Sequence, residues 1–240
     1  MATAIKRPGG ELATRPLHFF WIVDCSGSMM GEKIGTVNNA IQTVIPEMAN
    51  EARDNPNAQL CIQTLKFCSG AHWVTDDPVP VEDYALDDLQ ASGVTDMGEA
   101  FRMLGMELQM PPMPQRALPP VLVLLSDGAP TDDYMIHLNN LLALPWGKKS
   151  VRIAISIGSD ADDEMLSKFT SCPELVLQAN SAPALVKMIK WASTAASMVS
   201  APASRPIDLL NDQNNVRSAP LVIDMNNIPN PYDINVNDVW

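Results

Sequence analysis

Two short stretches of this chain, residues 17–23 and 121–125, are apolar almost throughout, without the alternation of a strand that shows one face to water. Runs of that length suit strands covered on both faces, as in a parallel sheet flanked by helices. Each run stops abruptly in a polar cluster. The first ends at Asp24-Cys25-Ser26-Gly27-Ser28, the second at Ser126-Asp127-Gly128. Between them, Ile34, Val37, Ile41, Val44, Ile45 and Met48 recur about every 3.6 residues and predict a helix over 30–53 with a core-facing stripe. Pro46 is expected to kink its last turns.

The remaining pattern keeps alternating. Asn55-Pro56-Asn57 is a turn; strands over 59–67 and 72–75, joined at Ser69-Gly70, read as a hairpin at the sheet edge. An acidic, loop-rich segment covers 76–92. Gly93-Val94-Thr95-Asp96-Met97-Gly98 then leads into a helix whose Phe101, Leu104, Gly105 and Leu108 share a face. Past a proline-rich connection over 111–120 come the second apolar strand, a helix over 134–144, and a strand over 151–157 that alternates as if half exposed. A helix over 162–169, a strand over 174–178, and a helix opened by Pro183 and ending near 199 follow. The predicted class is α/β: a doubly wound, Rossmann-like, mostly parallel sheet with one antiparallel edge strand, wound right-handedly. Residues 1–15 read as an N-terminal arm, 16–199 as the domain and 200–240 as an extended tail. The apolar islands of that tail, Leu209-Leu210, Pro220-Leu221-Val222-Ile223 and Val239-Trp240, leave open a flexible tail or one ordered on a partner.

The 240 residues suffice for one such domain, and the net charge of −12 argues against binding nucleic acid or an anionic membrane surface, since no basic stripe is present. The opening residues lack the apolar core of a secretory leader, and no apolar run is long enough to span a bilayer. Cys25, Cys61, Cys68 and Cys172 form no C-x-x-C pair, and Cys61 and Cys68 have opposite parity on one strand. Reduced thiols and a cytoplasmic location are the expectation.

In an open parallel sheet, ligands collect outside the carboxyl ends of the strands. Asp24, Ser26 and Ser28 fall there after the first strand, Asp127 after the central one, and Thr95 in a loop entering a helix. These are hard oxygen donors, the chemistry of Mg²⁺ or Mn²⁺. Three of the five are neutral hydroxyls, so a bound ion stays electrophilic and keeps a position for an outside acidic oxygen. Met29, Met30 and Met97 flank the same loops, either as core filling or as an adaptable apolar rim for a partner.

The three pieces in order, Asp24-x-Ser26-x-Ser28, Thr95 in Gly93-Val94-Thr95-Asp96-Met97-Gly98, and Asp127 in Leu125-Ser126-Asp127-Gly128, resemble the von Willebrand factor A domain with its metal-ion-dependent adhesion site, over about residues 16–199. Within that superfamily, the stretch from Arg15-Pro16-Leu17-His18 to Ser28-Met29 looks like the TerY-type group of tellurium-resistance proteins. That resemblance implies a bacterial cytoplasmic protein associated with a protein kinase and a metal-dependent protein phosphatase, in stress-response and phage-defence settings.

Other chemistries fit less well. The phosphate-loop spacing Gly-x₄-Gly-Lys-Ser/Thr fails at Gly27, no Gly-x-Gly-x-x-Gly follows the first strand, and Cys25-Ser26-Gly27-Ser28 is not the hydrolase elbow. His18, His72 and His137 are scattered and read as structural. The acidic run Asp76, Asp77, Glu82, Asp83, Asp87, Asp88 reads as a solvated face. Asp132 and Asp133 are expected to cap the helix after them, and Asp96 serves either a turn or the ion through water. No base accompanies the motif, so the expected function is a non-enzymatic, metal-dependent adaptor that captures an Asp or Glu of another protein. A purely structural ion and a metal-dependent hydrolase are the alternatives.

Overall fold

The computed structural model describes residues 14–55, 58–159, 161–200 and 228. Most of the expected N-terminal arm and, apart from Ser200 and Ile228, the expected tail lie outside the described residues, as do Pro56 and Asn57 of the predicted turn. The elements run β1 (Arg15–Asp24), a 3-10 turn (Gly27–Met29), α1 (Glu32–Arg53), β2 (Ala58–Cys68), β3 (Gly70–Trp73), β4 (Val79–Pro80), α2 (Met97–Glu107) and β5 (Val121–Ser126). They continue with α3 (Tyr134–Ala143), α4 (Pro145–Lys149), β6 (Val151–Ile157), α5 (Asp163–Thr170), a 3-10 turn (Pro173–Leu175), β7 (Val176–Ala179) and α6 (Ala182–Ser200).

The sheet order is β3-β2-β1-β5-β6-β7, with β4 also beside β2. β2, β1, β5, β6 and β7 are mutually parallel, and β3 and the two-residue β4 run antiparallel to β2. This is the expected mostly parallel sheet with its antiparallel edge. Register brings Asp24 level with Phe67, and Val23 level with Leu125. The ends of β1 and β5 therefore open side by side.

β1 shows why the apolar runs do not alternate. Leu17, Phe19, Trp21 and Val23 enter the core layer that holds Val37, Ile41 and Val44 of α1 and Leu185 and Ile189 of α6. Phe20 and Ile22 enter the opposite layer, with Phe101 and Leu104 of α2, Leu138 of α3 and Phe169 of α5. Burying one large apolar side chain contributes about 1.5–3 kcal/mol, so a strand loaded on both faces commits the chain to a two-sided fold.

α1 ends at Arg53 with Pro46 inside it, as the expected helix does. Three differences from the sequence expectations have physical reasons. β1 begins at Arg15, whose guanidinium donates to the carbonyls of Arg116 and Ala117 and so ties the strand to the proline-rich connection. β6 is almost wholly buried despite its alternating sequence, because the Ser156 hydroxyl is satisfied by Asp163 and Arg152 bonds the carbonyls of Gly147 and Phe169. The acidic segment is exposed at Asp76, Asp77, Glu82, Asp83, Asp87 and Asp88, while Val81, Tyr84, Leu86 and Leu89 plug into the core between them. Among the described residues, no helix is long and apolar enough to cross a membrane.

Candidate metal centre

The chain leaves β1 in a tight polar turn. The Asp24 carboxylate, fully buried, accepts the Ser26 backbone N–H at Oδ1 (2.8 Å) and the Ser126 hydroxyl at Oδ2 (2.6 Å). The 3-10 turn that follows bonds Met29 N–H to the Ser26 carbonyl and Met30 N–H to that of Gly27. It sets the Ser26 and Ser28 hydroxyls 3.0 Å apart, Ser26 buried and Ser28 exposed. Ser28 donates to Asp127 Oδ1 at 2.7 Å, so Ser26 is the donor in the hydroxyl pair.

Asp127 lies just past β5 with its side chain fully buried, and its Oδ2 accepts the Lys33 ammonium at 2.6 Å. Thr95 is buried beside them. Its N–H donates to the Thr131 hydroxyl (3.1 Å) and its carbonyl accepts the Thr131 N–H (2.9 Å). The Thr95 and Ser28 hydroxyls face a common point: a Cβ on Gly128 would lie 4.0 Å from Thr95 Oγ1 and 3.7 Å from Ser28 Oγ. Backbone bonds staple the loops together, Gly27 N–H to Gly93 carbonyl, Ser92 N–H to Cys25 carbonyl and Asp96 N–H to Cys68 carbonyl. The Asp96 carboxylate accepts from Gly70 N–H and the Thr131 hydroxyl, which is the turn role of its two expected ones.

Burial pushes the Asp24 carboxyl above its ordinary range, the Ser126 and Ser26 donors oppose that, and the neighbouring Asp127 charge adds to it. Cys25 faces inward, and desolvation pushes its thiol up to about 12. Among the described residues no three His, Cys, Asp or Glu side chains gather as a metal cluster. The site instead mixes two carboxylates with three hydroxyls, all hard oxygens, and this donor set suits Mg²⁺ or Mn²⁺ better than a soft thiolate-seeking ion.

The apolar rim needs correction. Met29 and Met97 are fully buried, each in a different core layer, because the 3-10 turn rotates Met29 under β1 and Met97 opens α2 against the sheet. Met30 alone of the three is exposed, at 65%, and Val94 at 47% stands on a neighbouring loop. Asp132 does not cap α3. Its oxygens accept the Gly98 and Glu99 N–H groups and cap α2, and Asp133 forms no side-chain cap. Lys33 and Ser126 were not anticipated at the site. A lysine in the first turn of a helix, where the dipole disfavours a cation, was the sequence signal for Lys33. His18 lies on β1 with neither ring nitrogen hydrogen-bonded, His72 on β3 and His137 on α3.

No family model matches the sequence, and comparison with curated proteins gives no match. Solved structures do match. A von Willebrand factor type A protein from Catenulispora acidiphila shares 17% identity at a TM-score of 0.55, covering 76% of this chain and 43% of its own. The ArnB paralogue VWA2 from Sulfolobus acidocaldarius gives 16% and 0.56, over 73% and 44%. The proximal thread matrix protein 1 of the mussel byssus, with a zinc-occupied MIDAS motif, gives 16% and 0.54, over 76% and 46%. The chain spans less than half the length of each. Sheet order, two-sided burial and these likenesses agree that the chain has the von Willebrand factor A fold.

Proposed function

We propose that the chain is a divalent-cation-dependent protein-binding adaptor. Asp24, Ser26, Ser28, Thr95 and Asp127 supply the oxygens for Mg²⁺ or Mn²⁺, and an Asp or Glu of a partner protein completes the shell. The observation that carries the reading is the hydrogen bond from Ser28 to Asp127: two loops far apart in sequence meet at the carboxyl end of a parallel sheet, with an exposed hydroxyl at the mouth. The zinc-occupied adhesion motif of the mussel protein supports the choice of a divalent ion. The ion's role would be to polarise and orient the incoming carboxylate, and exposed Met30 and Val94 give the partner apolar contact beside it.

The finer reading rests on the TerY-type resemblance: a cytoplasmic protein of a bacterial stress or phage-defence module, its partners a protein kinase and a metal-dependent protein phosphatase, with no catalysis of its own. Residues 16–199 form the adaptor domain. The test is co-purification of partners from the source cells in Mg²⁺ and in EDTA, with circular dichroism on the chain alone. The reading expects partners to be lost in EDTA and in Asp24→Ala while the fold persists. Partners retained in EDTA contradict it, and partner loss that tracks unfolding favours a structural ion instead.

A further inference from the structure

The donor set leaves Lys33 unaccounted for. Its ammonium sits 2.6 Å from Asp127 Oδ2, with 19% of its side chain exposed against none for the carboxylate. It occupies the first turn of α1, where the helix amides repel a cation, so Asp127 must offset an unfavourable placement. The end of the stem lies beside Gly158, just past β6, where a Cβ would make ordinary contact at 3.6 Å from Nζ and 3.8 Å from Cε. Lys33 approaches Asp127 from Oδ2, whereas the Ser28 hydroxyl meets Oδ1. The lysine and the hydroxyl cluster thus use different oxygens of one carboxylate.

We propose that Lys33 is a tethered cation that shares Asp127 with the metal, weakening the ion's hold while drawing in the external carboxylate. The inference rests on the adaptor reading above. Formally, Asp24 and Asp127 carry two negative charges and Lys33 one positive charge. A divalent ion alone leaves the site with one excess positive charge, and a partner's carboxylate restores neutrality. Without Lys33 the metal alone would neutralise the site, and the incoming acid would make it negative. Lys33 therefore weakens the ion's hold and strengthens the hold of the metal-loaded site on the acid.

The experiment measures Mn²⁺ affinity by electron paramagnetic resonance, with and without acetate as the carboxylate probe, at matched free Mn²⁺. Lys33→Met keeps an unbranched stem and loses the charge. It should bind Mn²⁺ alone about tenfold more tightly than wild type, the scale of removing one charge near a partly screened carboxylate. The Mn²⁺-loaded site should bind acetate in wild type and in Lys33→Arg, and about tenfold more weakly in Lys33→Met. Lys33→Gln supplies the same comparison should the Met variant unfold. Equal or weaker Mn²⁺ binding, or undiminished acetate binding, by the folded uncharged variant overturns the role of Lys33 and leaves the metal site standing. No Mn²⁺ binding by wild type or variant overturns that role and the adaptor reading together.

Discussion

Asp24 and His18 lie on the same strand, and burial acts on each against its charged form. Asp24 has donors from Ser26 and Ser126, so its charge has somewhere to rest. His18 has no hydrogen-bond partner at either ring nitrogen, and desolvation lowers its pKa from 6.5 to about 4. Between those values the unfolded chain holds a proton that the folded chain lacks, so this contribution to stability is complete above pH 6.5 and is lost as pH falls towards 4. The loss should amount to about 3 kcal/mol in denaturant titrations across that window. His18→Phe, placing an apolar ring beside Phe20, should flatten the slope there. An unchanged slope would mean that another group carries the acid sensitivity. Asp24, Ser26, Ser28 and Asp127 were legible as single residues because each follows an apolar run that stops abruptly at a strand end. Lys33 was less legible, because its partner lies far along the chain and nothing local announces the pairing.

Among the elements, strand burial was readable where both faces are apolar, as in β1 and β5, and misread where polar side chains are satisfied internally, as in β6, whose bounds were nonetheless legible. Met29 and Met97 show the same limit: burial of a loop methionine depends on a turn's rotation, which spacing does not encode. The cap of α2 comes from Asp132 on another loop, and this long-range contact fixes the segment carrying Thr95. Asp132→Ala should cost about 1–2 kcal/mol in thermal or denaturant unfolding and weaken Mn²⁺ binding through Thr95. Gly98→Ala should cost more, since its Cβ would lie 2.8 Å from Asp132 Oδ2 and 2.9 Å from the Tyr134 Cα. Wild-type stability in both variants would show that the cap does not hold this loop.

For the whole molecule, the two-sided sheet buries its strands so fully that the open carboxyl edge is where polar side chains from β1, β5 and the Thr95 loop can meet. The acidic segment covers one flank with its charges in solvent and its Val81, Tyr84, Leu86 and Leu89 inside. The fold was readable from the sequence at this scale because helix and strand periods alternate from end to end of the domain. The account's central claim is the location of a cation, and a crystal structure grown with Mn²⁺ and recorded at its anomalous signal addresses it directly. The account predicts a peak within about 2.0–2.3 Å of the Ser26 and Ser28 hydroxyls, facing Asp24, Thr95 and Asp127. A peak elsewhere, or none at saturating Mn²⁺, would contradict it.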